Sequence, residues 1–203
     1  EALETLRQPL ETGEIWIARA SAHIRYPCRF LLIAAANPCK CGYLYQAERA
    51  CNKAPHCGAH YFQRLSGPLL DRFDLCVHVE ATSFTSLQNH ELGETTGDIA
   101  ARVRAARRCQ SLRFSAHDGI HSNADAHGKL LTQTCALATE TIGWLHKALD
   151  HFQLSPRGYH RMLRVARTIA DLEGSDTIEK PHLSEALSFR PFPASGETAK
   201  QAG

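Results

Sequence analysis

The spacing of apolar residues divides the chain into a mixed first part and a helical second part. A short opening helix is followed by alternating apolar residues over 14–26, which predict a β-hairpin. The continuous apolar run RFLLIAAAN (29–37) is typical of a strand buried on both faces, as in a parallel sheet. A second such run spans about 75–79, and from residue 98 onward the spacing is helical. This order predicts an α/β domain followed by a helical bundle.

Glycine, proline and serine mark several of the predicted helix ends. The opening helix should end near Gly13, because glycine commonly terminates helices. Ser155 and Pro156 should cap and begin a long helix that ends at Gly174. Pro181 should start the last short helix.

Polar segments separate the predicted domains. The Cys-rich stretch 38–60 has the proline, glycine and polar residues of a loop. We expect a first domain over 1–81, a linker over 82–97, a helical domain over 98–190 and a frayed tail over 191–203.

The composition favours a globular protein over a disordered one. The chain has 203 residues, of which 43% are hydrophobic and 22% charged. The net charge is only +2, so contacts with nucleic acid would have to come from local patches. The sequence shows no signal-peptide pattern and no apolar run of about 20 residues, the length that a bilayer span needs. We expect a cytoplasmic protein without membrane contact. The opening EALETLRQPLE reads as the end of a longer helix, and we expect the chain to be a fragment of a larger protein.

Half of the eight cysteines lie within 19 residues: Cys39, Cys41, Cys51 and Cys57. Such clustering points to a metal more than to disulfides, and zinc prefers four tetrahedral N or S ligands. His56 and His60 are alternative ligands to Cys57. The C-x-C spacing is tighter than the usual C-x-x-C, so free thiols and a redox pair remain alternatives.

Three polar residues occupy positions at which chemistry is plausible. Asn37 ends the first apolar strand, where it either contacts a ligand or marks a plain Asn-Pro turn. Arg72 lies between two aspartates and forms either a surface ion pair or a functional contact. Arg157 lies on the first turn of a helix, where it opposes the helix dipole, so an external anion would explain it better than helix stability.

Three segments together resemble a known family: RFLLIAAANPCKCGY, RLSGPLLDRFDL and SPRGYHRMLRVARTIADLEGSDTIEKPHLSEAL. They are similar to the C-terminal part of magnesium-chelatase-like AAA+ ATPases, in particular the ComM (YifB) competence-related group. The resemblance covers most of residues 1–190. It implies the C-terminal part of an AAA+ core, with parallel-sheet strands, followed by an α-helical lid.

The resemblance also implies roles for individual residues. Asn37 would be the sensor-1 residue, which positions the attacking water near the γ-phosphate. Arg72 would be the arginine finger that reaches the ATP site of a neighbouring subunit, and Arg157 the sensor-2 arginine of the lid. The hairpin would be the pre-sensor-1 insertion that faces the pore, with DNA contacts from Arg19, His23 and Arg25.

The implied whole protein is a ring, with six subunits expected, that uses ATP with Mg²⁺ to remodel DNA. In this group the activity implied is a helicase that promotes branch migration during natural transformation. Related proteins resemble the chain in the Cys-rich loop as well, with cysteines at similar spacing, which supports zinc.

Two rival functions stay open. A magnesium chelatase subunit, which drives Mg²⁺ insertion into protoporphyrin, shares the AAA+ core but lacks this Cys cluster. A non-enzymatic, zinc-containing nucleic-acid-binding module would read ALDHFQLSPRGYHRMLRVARTI as a helix–turn–helix.

Several other residues are weaker candidates. A second metal site is conceivable, but a solvated loop is the plainer interpretation of its five residues: His117, Asp118, His121, Asp125 and His127. Trp16 and Trp144 fit packing better than base stacking.

We predict that this 203-residue chain alone neither binds ATP tightly nor hydrolyses it. A P-loop reads G-x-x-x-x-G-K-[ST], but before the sole Gly-Lys pair, Gly128-Lys129, the first glycine position holds Asn123. No apolar run ends in the Asp-Glu of a Walker B strand, and in the family both motifs lie upstream of the matching segment. A phosphate-release assay on the purified chain checks this, and turnover above background would contradict it.

Overall fold

The computed structural model describes residues 2–46, 48–54, 56–63, 65–79, 82, 93–152 and 154–190. Two compact units divide between Phe73 and Asp74, and each is described by itself. The predicted linker, 82–97, lies mainly outside the described residues, as does the tail 191–203, so the predicted domain boundaries stay predictions. No helix in the described part of the chain is long and apolar enough to cross a bilayer.

The first unit opens with a helical segment that ends where the sequence predicts. A 3₁₀ turn, Ala2–Leu6, leads into α1, Arg7–Thr12. Gly13 follows in the left-handed region (φ 68°), and its N–H donates to the Pro9 carbonyl oxygen. A glycine accepts this conformation without the steric cost that a Cβ would add.

The predicted hairpin is confirmed. β1, Glu14–Arg19, pairs with β2, Ala22–Pro27, in antiparallel register, and Ile17 lies opposite Ile24. Two residues, Ala20 and Ser21, connect the strands, as in the commonest tight hairpins.

Neither predicted parallel strand is formed by the described residues. Segments 28–37 and 75–79 carry no strand, and their largest apolar side chains are exposed, with Leu31 at 84% and Val79 at 83%. A strand cannot satisfy its backbone N–H and C=O groups within itself, so it needs hydrogen-bonded neighbours. The Cys28 N–H donates to the Gly13 carbonyl oxygen at 2.7 Å and the Cys76 N–H to the Phe189 carbonyl oxygen at 2.8 Å. Among the described residues, however, neither segment has the run of paired bonds that a strand in a sheet requires.

Two short helices complete the first unit. α2, His56–Phe62, begins inside the predicted loop 38–60, so the loop prediction is wrong from His56 onward. α3, Gly67–Leu70, is capped by the Ser66 hydroxyl, which accepts from the Leu69 N–H at 3.2 Å.

The second unit is helical, as predicted. Its helices are α4 (Thr96–Arg113), a 3₁₀ turn (Asn123–Asp125), α5 (Gly128–Thr134), α6 (Thr139–Phe152), α7 (Pro156–Glu173) and α8 (Lys180–Ser188). The predicted ends of α7 are confirmed: Ser155 accepts from the Gly158 N–H at 3.1 Å, and Gly174 closes the helix with φ 81°. The sequence analysis missed α5.

An apolar core joins the helices of the second unit. Buried side chains from α5, α6, α7 and α8 and from the segments between the helices form one cluster, which includes Phe114, Leu131, Leu145, Leu163, Ile178 and Leu183. α7 runs through this cluster and packs against α4 and α8.

A buried ionic network crosses the core beside α7. The Asp171 carboxylate accepts two hydrogen bonds from Arg113, at 2.8 and 2.5 Å, and one from the Asn123 amide at 2.8 Å. The Arg167 Nε donates to the same carboxylate at 3.0 Å, and its NH1 donates to the Asp176 carbonyl at 2.7 Å. Burial alone would raise the pKa of Asp171, but these donors and the arginine charges hold it below its usual range.

We predict that Asp171→Asn lowers the free energy of unfolding by roughly 3–5 kcal/mol at pH 7, because it leaves Arg113 and Arg167 without their counter-charge. The folded-state pKa of Asp171 is depressed, so the stabilisation is present above the unfolded-state pKa of about 4 and is lost as the pH falls below it. Urea unfolding followed by helical circular dichroism at pH 7 and pH 3 measures both effects.

The exposed Asp150 of α6 provides the control. Asp150→Asn should change the free energy of unfolding by less than about 0.5 kcal/mol. Equal losses for the two variants, or a difference between them that does not shrink at pH 3, would contradict the role of Asp171.

Candidate metal centre and nucleotide-contact residues

The first pair of clustered cysteines lies on one tight turn. The Gly42 N–H donates to the Cys39 carbonyl oxygen at 3.1 Å, and Gly42 has a φ of 83°. This turn brings the chain back on itself, so that the Sγ atoms of Cys39 and Cys41 are 3.1 Å apart. Cys39 is fully buried.

The second pair comes from the turn that leads into α2. The Ala54 N–H donates to the Cys51 carbonyl and the Cys57 N–H to the Lys53 carbonyl, each at 2.9 Å. Cys57 therefore lies on the first turn of α2.

The cysteine thiols converge. The Sγ atoms of Cys39, Cys41 and Cys57 all lie within 4.8 Å of one another. Cys51 contributes to the pKa shifts of both Cys41 and Cys57, so its side chain lies near this group of three thiols. His56 and His60, the alternative ligands, are exposed on α2 and are not part of this cluster.

The thiols of Cys41 and Cys57 differ in acidity. The hydrogen bond from Cys39 lowers the pKa of Cys41 to about 6, and hydrogen bonds with the backbone of Tyr43 and Cys51 add to this effect. Burial, followed by the neighbouring thiols of Cys51 and Cys39, raises the pKa of Cys57 to about 12. The surroundings of the cluster thus favour the thiolate of Cys41 and oppose that of Cys57.

The donor set fits zinc. Thiolates bound to one tetrahedral Zn²⁺ at about 2.3 Å lie about 3.8 Å apart, and the thiols of this cluster are close to that spacing. Four thiolates would leave no open coordination position, which is typical of a structural and not a catalytic site.

Gly58 lets α2 lie directly against the cysteine loop. A Cβ at this position would be 2.6 Å from Leu44 Cδ2 and 3.2 Å from the Pro38 carbonyl oxygen. An alanine at this position would require the Leu44 side chain to move and the Pro38 carbonyl to shift by a few tenths of an ångström.

Asn37 lies at the entrance to this loop. Asn37 is exposed, and only Pro38 separates it from the fully buried Cys39. The loop therefore fixes one end of the segment that carries the predicted sensor amide.

Arg72 is held against α1. Its guanidinium contacts the Glu11 carboxylate and the Pro68 carbonyl oxygen, and its Nε donates to the Arg7 carbonyl at 3.3 Å. The side chain is only 9% exposed. The sequence indicated neither Glu11 nor this burial, because the two residues are 61 positions apart. Guanidinium has five N–H donors, so these three contacts leave donors for a further acceptor.

Arg157 is exposed on the first turn of α7, as the sequence predicts, and belongs to the second unit. Asn37 and Arg72 belong to the first.

The predicted DNA-contacting residues lie on two faces of the hairpin. His23 and Arg25 share a face with Trp16, which lies opposite Arg25 in the register and stacks with its guanidinium at 6.0 Å. Arg19 projects from the other face, beside Ala22. All three are exposed, and Arg25 also contacts Glu14 at 3.5 Å.

The histidine-rich loop does not form a second cluster of metal ligands in the described residues. The Asp125 carboxylate instead accepts from the backbone N–H groups of His121 and Ser122, at 3.2 and 3.0 Å, and so caps the 3₁₀ turn. Burial and the nearby Arg164 lower the pKa of His127, which favours the neutral ring. The Asp125 carboxylate is thus occupied by backbone N–H groups of this loop.

Two family matches cover most of the chain. The family described as "Magnesium chelatase, subunit ChlI" matches residues 1–87, and "Magnesium chelatase, subunit ChlI C-terminal" matches residues 93–190. The gap between the two matches falls inside the predicted linker.

Individual relatives extend the similarity. The chain is 42% identical over 191 residues to the protein named "Competence protein ComM" of Haemophilus influenzae, a match that covers 94% of this chain and 36% of that protein. It is 40% identical over 189 residues to YifB of Salmonella typhimurium and of Escherichia coli, with 93% of this chain and 36% of each relative covered. The chain thus spans little more than a third of the length of these relatives. Both family matches and these identities show that the chain belongs to the magnesium-chelatase-like family, in the group that contains ComM and YifB.

Proposed function

We propose that this chain is the C-terminal part of an AAA+ ATPase that couples ATP hydrolysis to DNA remodelling in the cytoplasm. The observation that carries the proposal is the 42% identity to a competence protein over 94% of the chain. Competence concerns DNA uptake, so the nucleic acid is the natural target of the whole protein. The activity belongs to the longer protein, since the P-loop and Walker B motifs are absent from these 203 residues.

In this proposal, three polar side chains act on the phosphates of ATP. Asn37 orients the attacking water, while Arg72 and Arg157 stabilise the negative charge that spreads over the transferred phosphoryl group. Phosphoryl transfer requires little covalent chemistry from a protein, so positioning and charge supply most of the catalysis. Mg²⁺ and the phosphate-binding loop would come from the part of the protein outside this chain.

Arg72 acts in trans, at the ATP site of a neighbouring subunit. Its contacts with Glu11 and two backbone carbonyls fix the guanidinium before the partner arrives. An arginine pre-positioned in this way loses less side-chain freedom when it meets phosphate. Glu11 is then a positioning residue for Arg72.

The unpaired apolar segments become strands of the AAA+ sheet in the whole protein. Segments 28–37 and 75–79 expose Leu31, Ile33 and Val79 at more than 80%, as expected of strands whose neighbours come from elsewhere. Formation of the sheet would bury these residues and would place Asn37 at the carboxyl end of a strand, where ligands of α/β sheets bind.

The hairpin contacts DNA. Arg25 with its stacked Trp16, His23 on the same face, and Arg19 near the tip offer cations and an aromatic face to a phosphate backbone. Both faces are exposed, so either can meet DNA in the ring's pore.

Zinc bound by the cysteine cluster braces the end of the sensor segment. The ligands are Cys39, Cys41, Cys51 and Cys57. Bound Zn²⁺ would stabilise the thiolate form of these ligands.

We predict that the purified chain binds one equivalent of Zn²⁺ and that Cys57→Ser reduces the bound metal by at least half. Three thiolates leave the tetrahedral site open and weaken it, whereas Cys109→Ser, an exposed cysteine on α4, should have no effect. Elemental analysis after gel filtration, with thiolate-to-Co²⁺ absorption as a second measurement, checks this. His56→Ala distinguishes the alternative ligand: a loss of metal in that variant but not in Cys57→Ser would reject Cys57.

We predict that Arg72→Ala and Asn37→Ala each lower the ATPase kcat of the full-length protein by about 10³-fold, the lower range for an arginine finger. Mixing the two inactive proteins should restore part of the activity, because some interfaces then combine an intact Asn37 with an intact Arg72 from the neighbour. Lys147→Ala, an exposed cation on α6, is the control and should retain full activity.

The mixing result decides between the two geometries for Arg72. If Arg72 acts within its own subunit, no subunit of the mixture holds both residues and the activity does not recover. Absence of recovery with retained ring assembly would therefore refute action in trans.

A magnesium chelatase subunit remains the second candidate function, because both family matches carry that description. The ATPase activity of the full-length protein distinguishes the two candidate functions. Stimulation by branched DNA supports the proposal, whereas stimulation by protoporphyrin and not by DNA supports magnesium insertion.

A further inference from the structure

We propose that the outward face of α4 binds the phosphate backbone of DNA through Arg104, Arg107 and Arg108. This surface belongs to the second unit and is separate from the hairpin, which belongs to the first. The inference rests on the proposed function only in taking DNA as the polyanion.

The positive charge of the chain is concentrated on this helix. Residues 99–117 contain five arginines and no aspartate or glutamate. The whole chain has a net charge of only +2, so this segment alone is more positive than the chain as a whole. Local concentration of this kind is the electrostatic signature of a nucleic-acid contact in a protein of nearly balanced charge.

The arginines of α4 fall into two groups. Arg113 pairs with Asp171 inside the core, and Arg102 makes two hydrogen bonds to Glu94, at 2.6 and 3.0 Å. Arg107 donates to the neutral amide oxygen of Gln110 at 3.1 Å, which leaves its charge uncompensated. Arg104 and Arg108 make no hydrogen bond or ion pair with any residue that the structure describes.

The uncompensated arginines share one face. Positions 104, 107 and 108 are three and four residues apart and so lie together on the helix, with Arg104 and Arg108 about 6 Å apart along its axis. The buried residues of α4, Ala106 and Gln110, face the bundle. Val103, Ser111 and the 77%-exposed Leu112 lie beside the three arginines on this surface.

The fold gains nothing from this arrangement. Like charges one turn apart destabilise a helix, and neither Arg104 nor Arg108 recovers that cost through an internal partner among the described residues. An external anion would offset it. The arrangement therefore suits a partner that brings negative charge at several points along a line.

A nucleic-acid backbone fits better than an acidic protein surface. Guanidinium groups form paired hydrogen bonds with phosphate, and backbone contacts need no base sequence. A second copy of this chain would offer a poorer complement, because part of its negative charge is already engaged by its own arginines. Several of its carboxylates, such as those of Glu11, Glu94 and Asp171, are already paired with arginine.

Fluorescence anisotropy of a labelled duplex, titrated with this chain from 50 to 200 mM salt, tests the inference. Arg104→Gln with Arg108→Gln should weaken binding at least tenfold at 50 mM salt. Loss of two phosphate contacts should also make the slope of log Kd against log salt shallower by about 1.8. The matched control, Arg102→Gln with Lys147→Gln, removes the same charge elsewhere on the second unit and should change Kd less than about twofold and leave the slope unchanged.

The outcomes separate this inference from the proposed function. If the variant Arg104→Gln with Arg108→Gln and the control variant lose the same DNA affinity, the effect is one of net charge and the α4 site is overturned. If Arg19→Gln with Arg25→Gln abolishes DNA binding while the α4 variant binds like the unmodified chain, the DNA function stands and the α4 site fails. Absence of DNA binding by the unmodified chain overturns the site. Sedimentation velocity completes the test: altered self-association with unchanged DNA binding would make a second copy the partner.

Discussion

The buried carboxylate of Asp171 is the contact on which the second unit depends. It accepts hydrogen bonds from Arg113 at the end of α4, from Asn123 on the 3₁₀ turn and from Arg167 within α7. A buried charge is tolerated only where it is paired and fully hydrogen-bonded, so these segments must meet in one arrangement. The direction of α4, and with it the face that carries Arg104 and Arg108, follows from the anchoring of Arg113 at its end.

The first unit is built on a different principle. The buried residues among its described positions are Pro9, Cys39, Gly58 and Leu69, far fewer than in the helical unit. Small assemblies without a sizeable apolar core usually rely on disulfides or a metal for stability. The converging thiols of Cys39, Cys41 and Cys57 are placed to supply such a constraint, close to Asn37 in the chain. Glu11 restrains Arg72 in a similar way, because its carboxylate accepts a hydrogen bond from the Arg72 guanidinium.

Local signals made much of this structure predictable from the sequence. The alternation of apolar residues predicted the hairpin. The ends of α7 were predicted from Ser155, Pro156 and Gly174, because helix caps depend on neighbours within a few residues. The parallel strands were predicted but are not formed, since their partners must come from other segments. The contacts of Glu11 with Arg72 and of Arg113 with Asp171 join residues about 60 positions apart and leave no periodic trace. Exclusion of His56 from the thiol cluster also needed the fold, because spacing alone allowed either ligand.

The unpaired segment 28–37 has a consequence for the colloidal behaviour of the chain. It presents Leu31 and Ile33, each more than 80% exposed, on an extended backbone whose hydrogen-bonding groups lack a sheet. Exposed strand-like edges of this kind pair readily with one another. Concentrated solutions of the isolated chain should therefore form β-rich oligomers that begin at this segment, at a rate that rises with concentration.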